Sequence, residues 1–123
     1  MERKYEGDRI SLRVETAIFD DGAAFDREIV EHPGSVVIVP ITDSGTVLLI
    51  RQFRQAAGKV LLEASAGTIE PGEDPELTAS RELREEVGYR SGKLILVGGS
   101  WVAPGYSTEY SYMFIATELE AAP

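Results

Sequence analysis

The chain has 123 residues, 21 acidic and 12 basic, for a net charge of −9, with one histidine and no cysteine. That length predicts one domain, residues 1–123, and 43% apolar residues suffice for a packed core, which excludes a disordered chain. The absent thiols exclude disulfides, thiolate zinc sites and a cysteine nucleophile, and the acidic balance opposes the basic stripe of a nucleic-acid binder. In chain order, the N-terminus has no apolar signal region, and no apolar run nears the roughly 18 residues of a membrane span. A cytoplasmic chain without a nucleic-acid or membrane partner is expected.

Residues 10–19 alternate imperfectly as a strand, Asp20-Asp21-Gly22 marks a turn, and 24–31 return as its hairpin partner. His32-Pro33-Gly34 breaks the chain, with His32 read as a turn residue. Residues 35–41, SVVIVPI, form a continuous β-branched run, which predicts a central strand covered on both faces. After the turn at 42–45, residues 46–53 are expected to pair back as the next strand. A helix is predicted over 75–87: Asp74 caps it, Pro75 suits its first position, and Gly88 ends it in a left-handed conformation. Residues 93–102 and 110–117 read as two further strands joined by the loop 103–109. Strands around one strong helix place the chain in the α+β class.

On that helix, 100° steps put Glu82, Glu85 and Glu86 on one arc, while Ala79, Leu83 and Val87 line the adjoining face. Like charges at this spacing repel by a few tenths of a kcal/mol per pair. Carboxylate clusters suit Mg²⁺ or Mn²⁺, which take hard oxygen ligands. The same residues also fit a plain solvated acidic face. The preceding segment adds a fixed spacing: Gly67, five residues, Glu73, seven residues, Arg81-Glu82-Leu83, one residue, Glu85-Glu86, one residue, Gly88. At average residue frequencies this coincidence arises on the order of once in a billion starting positions. The segment 67–89 resembles the Nudix box.

Each part of it has a physical reading. Gly67 permits a tight backbone that turns the Ala66 carbonyl towards a metal. Glu73 can pair with Arg81 and fix the loop against the helix, a structural role in preference to a catalytic one. The resemblance implies a mixed β-sheet sandwiched by helices, with a loop-helix-loop box. It implies metal ligands at Glu82, Glu85 and Glu86 with the Ala66 carbonyl, Mg²⁺ as cofactor with Mn²⁺ as the alternative, and a catalytic role for Arg81. The implied reaction is attack of water on a nucleoside diphosphate linked to another moiety.

Outside the box, Arg27 to Gly34, Leu48 to Arg54 and Glu63-Ala64-Ser65-Ala66-Gly67 resemble the ADP-ribose pyrophosphatase group. So do Pro104 and Gly105-Tyr106-Ser107-Thr108-Glu109, the latter resembling a loop that carries a mobile catalytic glutamate. The resemblance implies that Arg27 and Arg54 contact the phosphates or terminal ribose of the substrate, for which bidentate arginine is suited. Arg51 is a further substrate contact or, since a strand sends 51 and 54 to opposite faces, a surface or dimer residue. Glu63 binds substrate or metal, or forms a salt bridge within the fold. Trp101 and Tyr106 are aromatic platforms for adenine, with core packing the better reading of Trp101. The general base is Glu109 or, in competition, Glu85.

Three departures stand out. Ser65 replaces a proline, Tyr89 an aliphatic residue, and only 120–123 follow Leu119 where the group continues into a C-terminal helix. A homodimer covering the exposed apolar face, with 1–34 in contact, is the expected consequence. The expected activity is Mg²⁺-dependent cleavage of ADP-ribose to AMP and ribose 5-phosphate. Rivals are other nucleotide sugars, dinucleotides or oxidised nucleotides as substrates, a non-catalytic ADP-ribose sensor, and a structural dimerisation domain.

Overall fold

The computed structural model describes residues 1–123. The run SVVIVP forms β4 (Ser35–Pro40), a central strand as expected but fully covered on one face only, since Val37 and Val39 on the other are half-buried and Val37 lines an open cleft. It lies between β7 (Ser65–Thr68) and β9 (Tyr110–Ala121), and β8 (Tyr89–Trp101) pairs with the outer side of β9. β4 and β9 run parallel, while the β4–β7 and β8–β9 pairs are antiparallel, so the four-stranded sheet is mixed. Val36 and Ile38 are fully buried because one face of β4 carries the helix.

That helix, α1, spans Pro75–Glu82 and continues into a π-helical turn over Leu83–Val87. The Leu77 N–H donates to Asp74 Oδ1 at 2.8 Å, which satisfies one of the free amides of the first turn. Gly88 closes it with φ at 81°, and its N–H donates to the Leu83 carbonyl at 3.0 Å and the Arg84 carbonyl at 3.1 Å. Ala79 and Leu83 pack on Val36, Ile38, Phe114 and Ala116 to form the core. The helix therefore covers one face of the mixed sheet. The wider last turn was not legible in the spacing.

An antiparallel sheet of β1 (Glu2–Glu6), β2 (Ser11–Ile18) and β3 (Ala24–Glu31) stands before it. β2 and β3 pair from Ser11–Glu31 to Ile18–Ala24 across the anticipated turn. β1 was not anticipated, since Glu-Arg-Lys-Tyr-Glu has no apolar alternation. It is held by its ladder to β2 and by Arg3, whose Nη2 lies 2.8 Å from Glu31 Oε1 at the far strand.

The expected pairing of 46–53 with the central strand does not form. Both edges of β4 are already occupied by β7 and β9, so only a bridge between Ile41 and Val47 remains. The strand starts later, as β5 (Ile50–Arg54), and pairs with β6 (Lys59–Glu63) as a separate hairpin. Leu83, 1% exposed, is the largest helix side chain in the core. Leu83→Ala should lower the unfolding free energy by about 2–5 kcal/mol in denaturant titration, the cost of a buried cavity.

Candidate active site

Where β7 passes the end of α1, backbone and carboxylate come into contact. A Cβ on Gly67 would overlap the Glu82 carboxyl group, so this close approach requires glycine. Arg81, one residue earlier, spreads its guanidinium over the surrounding acids. Nε donates to Glu73 Oε2 at 2.8 Å and Nη2 to Glu73 Oε1 at 2.9 Å, a bidentate pair. Nη1 donates to Glu82 Oε1 at 2.8 Å and to Glu85 Oε2 at 3.3 Å, and Nη2 also reaches the Thr68 carbonyl at 3.3 Å. Glu73 accepts in addition from the Glu70 N–H and the Thr78 hydroxyl, each at 3.0 Å. These donors, Arg81 foremost, hold the Glu73 carboxyl down to about 2. The pair joins the loop before the helix to the helix itself, as expected of a structural role.

Beside this network opens a cleft of about 800 Å³, lined among others by Ala66, Gly67, Glu82, Glu86, Arg54 and Glu109. Glu86 is pushed up to about 7, first by burial and then by the neighbouring Glu82. Arg54 opposes that shift through its charge. Two partly buried carboxylates, of which Arg81 pairs with Glu82 only, are a hard-oxygen donor set for a divalent cation, so the residues present fit Mg²⁺ or Mn²⁺. The Ser65 hydroxyl, fully buried next to Ala66, lies near Glu86 and, like Arg54, opposes its upward shift.

Glu85 does not line this cleft. Its side chain is 54% exposed, turned to the same Arg81 nitrogen that holds Glu82, and lines an adjoining groove with Glu70 and Glu82. The structure thus brings two of the three arc glutamates to the cleft, and no three acidic or histidine side chains converge. Glu85 and Glu86 are adjacent in the π-helical turn and point to different sides of it, one to Arg81 and the other to the cleft.

The arginines divide as well. Arg54 lines the cleft and is clamped by Glu63, Nε to Oε2 at 2.7 Å and Nη2 to Oε1 at 2.6 Å. Glu63 is therefore engaged in a salt bridge within the fold. Arg51 lines the same cleft, contrary to the opposite-face reading, because residues from both faces of β5 reach its mouth. Arg27 is not brought there. It lines another groove with Arg13, Trp101 and Tyr106. Trp101 is 58% exposed, so core packing is not its role; its ring meets Tyr110 edge-on at 5.1 Å.

Glu109 lies just before β9 and faces the cleft, where Ser35 Oγ donates to its Oε2 at 2.7 Å. His32 does more than turn the chain: it also lines the cleft, with Nε2 4.0 Å from Glu109 Oε1. Arg9, from the loop between β1 and β2, lines the cleft too. An isolated loop arginine carries no sequence signal of its own. The approach of His32 to Glu109 joins residues far apart in the chain, which spacing does not reveal.

A model of the NUDIX domain matches residues 31–123. An ADP-ribose pyrophosphatase of Bacillus subtilis is 41% identical over 118 residues, covering 96% of this chain and 64% of the relative. An ADP-ribose pyrophosphatase of Mycobacterium tuberculosis is 38% identical over 119 residues, covering 96% of this chain and 58% of the relative. A methanol dehydrogenase activator of Bacillus methanolicus is 34% identical, again over 96% of this chain and 64% of the relative. The chain thus spans somewhat under two thirds of the length of these relatives. The crystal structure of an ADP compounds hydrolase superposes with a TM-score of 0.86 at 28% identity, covering 98% of this chain and 66% of that one.

The raised Glu86 carboxyl predicts a pH-dependent stability for the metal-free protein. Its native value, about 7, exceeds the ordinary 4.5 expected of the unfolded chain, so the folded state holds the proton more tightly. This group's contribution should fall as pH rises from about 4.5 to about 7 and then level off. Denaturation midpoints measured against pH in chelator should show that fall in the natural chain and lose it in Glu86→Gln. Identical pH slopes in both proteins would contradict the assignment.

Proposed function

This chain belongs to the NUDIX domain family, and from that premise we propose that it hydrolyses a nucleoside diphosphate linked to another moiety, ADP-ribose first, to AMP and ribose 5-phosphate. The observation that carries this reading is one cleft that gathers Glu82 and Glu86 on one side with Arg9, Arg51, Arg54 and Glu109 around it. Relatives named ADP-ribose pyrophosphatase, similar over nearly the whole of this chain, support the choice of substrate.

Glu82, Glu86 and the Ala66 carbonyl would hold the cation, Mg²⁺ first and Mn²⁺ as the alternative. When bound, it neutralises the diphosphate and acidifies water. Arg54, kept in place by Glu63, and the neighbouring Arg51 and Arg9 bind the phosphate oxygens. Glu109 takes a proton from the attacking water as its oxygen bonds to one phosphorus. The bond from that phosphorus to the bridging oxygen breaks, and the bridging oxygen leaves with the other phosphate. Two phosphate monoesters result. Glu109 is favoured over Glu85 as base because Glu85 is engaged by Arg81 in the neighbouring groove. Arg81 orients Glu82 rather than touching the substrate.

For assembly, the reading extends to a homodimer acting in the cytoplasm. Tyr5, Ile18, Phe19 and Phe25 of the first sheet stand exposed, an apolar surface that a second copy would cover. No helix is long and apolar enough to cross a membrane.

AMP release from ADP-ribose, read by mass, should require a divalent cation and stop in chelator. Glu109→Gln should depress kcat by roughly 10²–10⁴ while KM stays nearly unchanged, the usual worth of a general base. Full turnover in Glu109→Gln, with Glu85→Gln inactive yet still binding metal, would move the base to the helix. Binding of ADP-ribose with no product at any metal concentration would make the chain a sensor.

A further inference from the structure

Strand β7 presents alternate residues to the helix. Val36 and Ile38 of β4 lie in the core beneath the helix, and their partners across the antiparallel ladder are Gly67 and Ser65. Residues paired across a ladder share a face of the sheet, so both partners face the helix. At Gly67 that face meets the Glu82 carboxyl group, which takes the space of a side chain. A step of two residues along a strand covers about 7 Å, and the helical turn from Glu82 to Glu86 rises about 6 Å. Ser65 is therefore set against Glu86 as Gly67 is set against Glu82.

The side chain placed there is a hydroxyl in the protein interior. Ser65 is 0% exposed and takes no part in lining the cleft, whereas Glu82 and Glu86 line it. Apart from Glu86, no polar group partners the Ser65 hydroxyl, and its presence favours the charged form of that carboxylate. A hydroxyl taken out of water is costly without an acceptor, so a serine at this point depends on Glu86. The carboxylate in turn lacks another donor of this kind, because Arg81 donates to Glu82 and Glu85 and not to Glu86. Where the resembled group has proline, which carries no donor, this chain has the serine.

We propose that Ser65 is a positioning residue for Glu86: from within the sheet its hydroxyl donates to one carboxylate oxygen and leaves the other to a divalent cation in the cleft. This rests on Glu86 being a cation ligand. A neutral donor suits the task, because it orients the carboxylate without cancelling the charge that attracts the cation. Partners of this kind fix the direction of a metal-binding side chain, and their loss usually costs about 10–100-fold in affinity. Ser65 itself touches neither substrate nor cation.

The test is the Mn²⁺ affinity of the full chain, read by electron paramagnetic resonance without substrate, with thermal melts before and after Mn²⁺ is added. Ser65→Ala should fold, bind Mn²⁺ about 10-fold more weakly, and lose a matching part of the rise in Tm that Mn²⁺ gives. Ser65→Cys nearly keeps the volume but donates weakly, and should bind as poorly as Ser65→Ala. In a Glu86→Ala background, Ser65→Ala should weaken binding no further, because no carboxylate is left to orient. Unchanged Mn²⁺ affinity in folded Ser65→Ala and Ser65→Cys, beside a Glu86→Ala that binds poorly, would overturn the role of Ser65 and leave Glu86 a ligand. A Tm lowered equally with and without Mn²⁺ would reduce Ser65 to packing and overturn it as well. Losses that multiply across the cycle would do the same. Full Mn²⁺ affinity in Glu86→Ala alone would instead remove the ligand, and Ser65 with it.

Discussion

The guanidinium of Arg81 is the constraint on which the rest of the site depends. Its five N–H donors are spent on Glu73, Glu82, Glu85 and the Thr68 carbonyl. Without it, these three glutamates within a short stretch of loop and helix would repel one another across a partly buried space. With it, the loop before α1, strand β7 and the π-helical turn are tied to one planar group. Glu73 shows the strength of the tie, since its carboxyl is held down to about 2. Gly67 completes the arrangement by yielding the space that the Glu82 carboxylate fills.

The same division bears on how a chain of net charge −9 would receive the proposed diphosphate substrate. Arg81 neutralises the acids on the outer side of the helix, while Glu86, buried and pushed up to about 7, is left short of counter-charge within the cleft. A cation supplied there reverses the local field, and the arginines of β5 and of the β1–β2 loop face the same space. In the same cleft Glu109 accepts a hydrogen bond from one neutral donor, the Ser35 hydroxyl. The carboxylates proposed to hold the cation and to accept the proton thus sit in different electrostatic surroundings, which is what separate roles at one pH require.

Legibility in the sequence followed the range of the interaction. The strand SVVIVP and the helix from Asp74 to Gly88 rest on local signals, a β-branched run and two caps, and both formed where expected. The Glu73–Arg81 pair followed from their spacing. Strand partners did not: β5 has the composition to pair with β4, yet both edges of β4 were taken by segments from far along the chain. The divergence of Glu85 from Glu86 depends on which side of the last turn meets Arg81 and which meets the cleft, and spacing alone does not announce that. Arg27 and Arg51 changed places for a similar reason, since which groove a strand residue reaches depends on where the strand lies. His32 reads as a turn residue, and its place opposite Glu109 depends on the Thr108 contact across the chain.

The role given to Arg81 is most directly tested by Arg81→Lys, which keeps the charge and removes the fork. Mn²⁺ affinity, followed by electron paramagnetic resonance on the folded variant, reports on Glu82 and Glu86 without reference to turnover. A loss of about 10–100-fold is expected, the usual cost of removing a partner that orients a metal-ligating side chain. An unchanged Mn²⁺ affinity in a folded Arg81→Lys protein would contradict it.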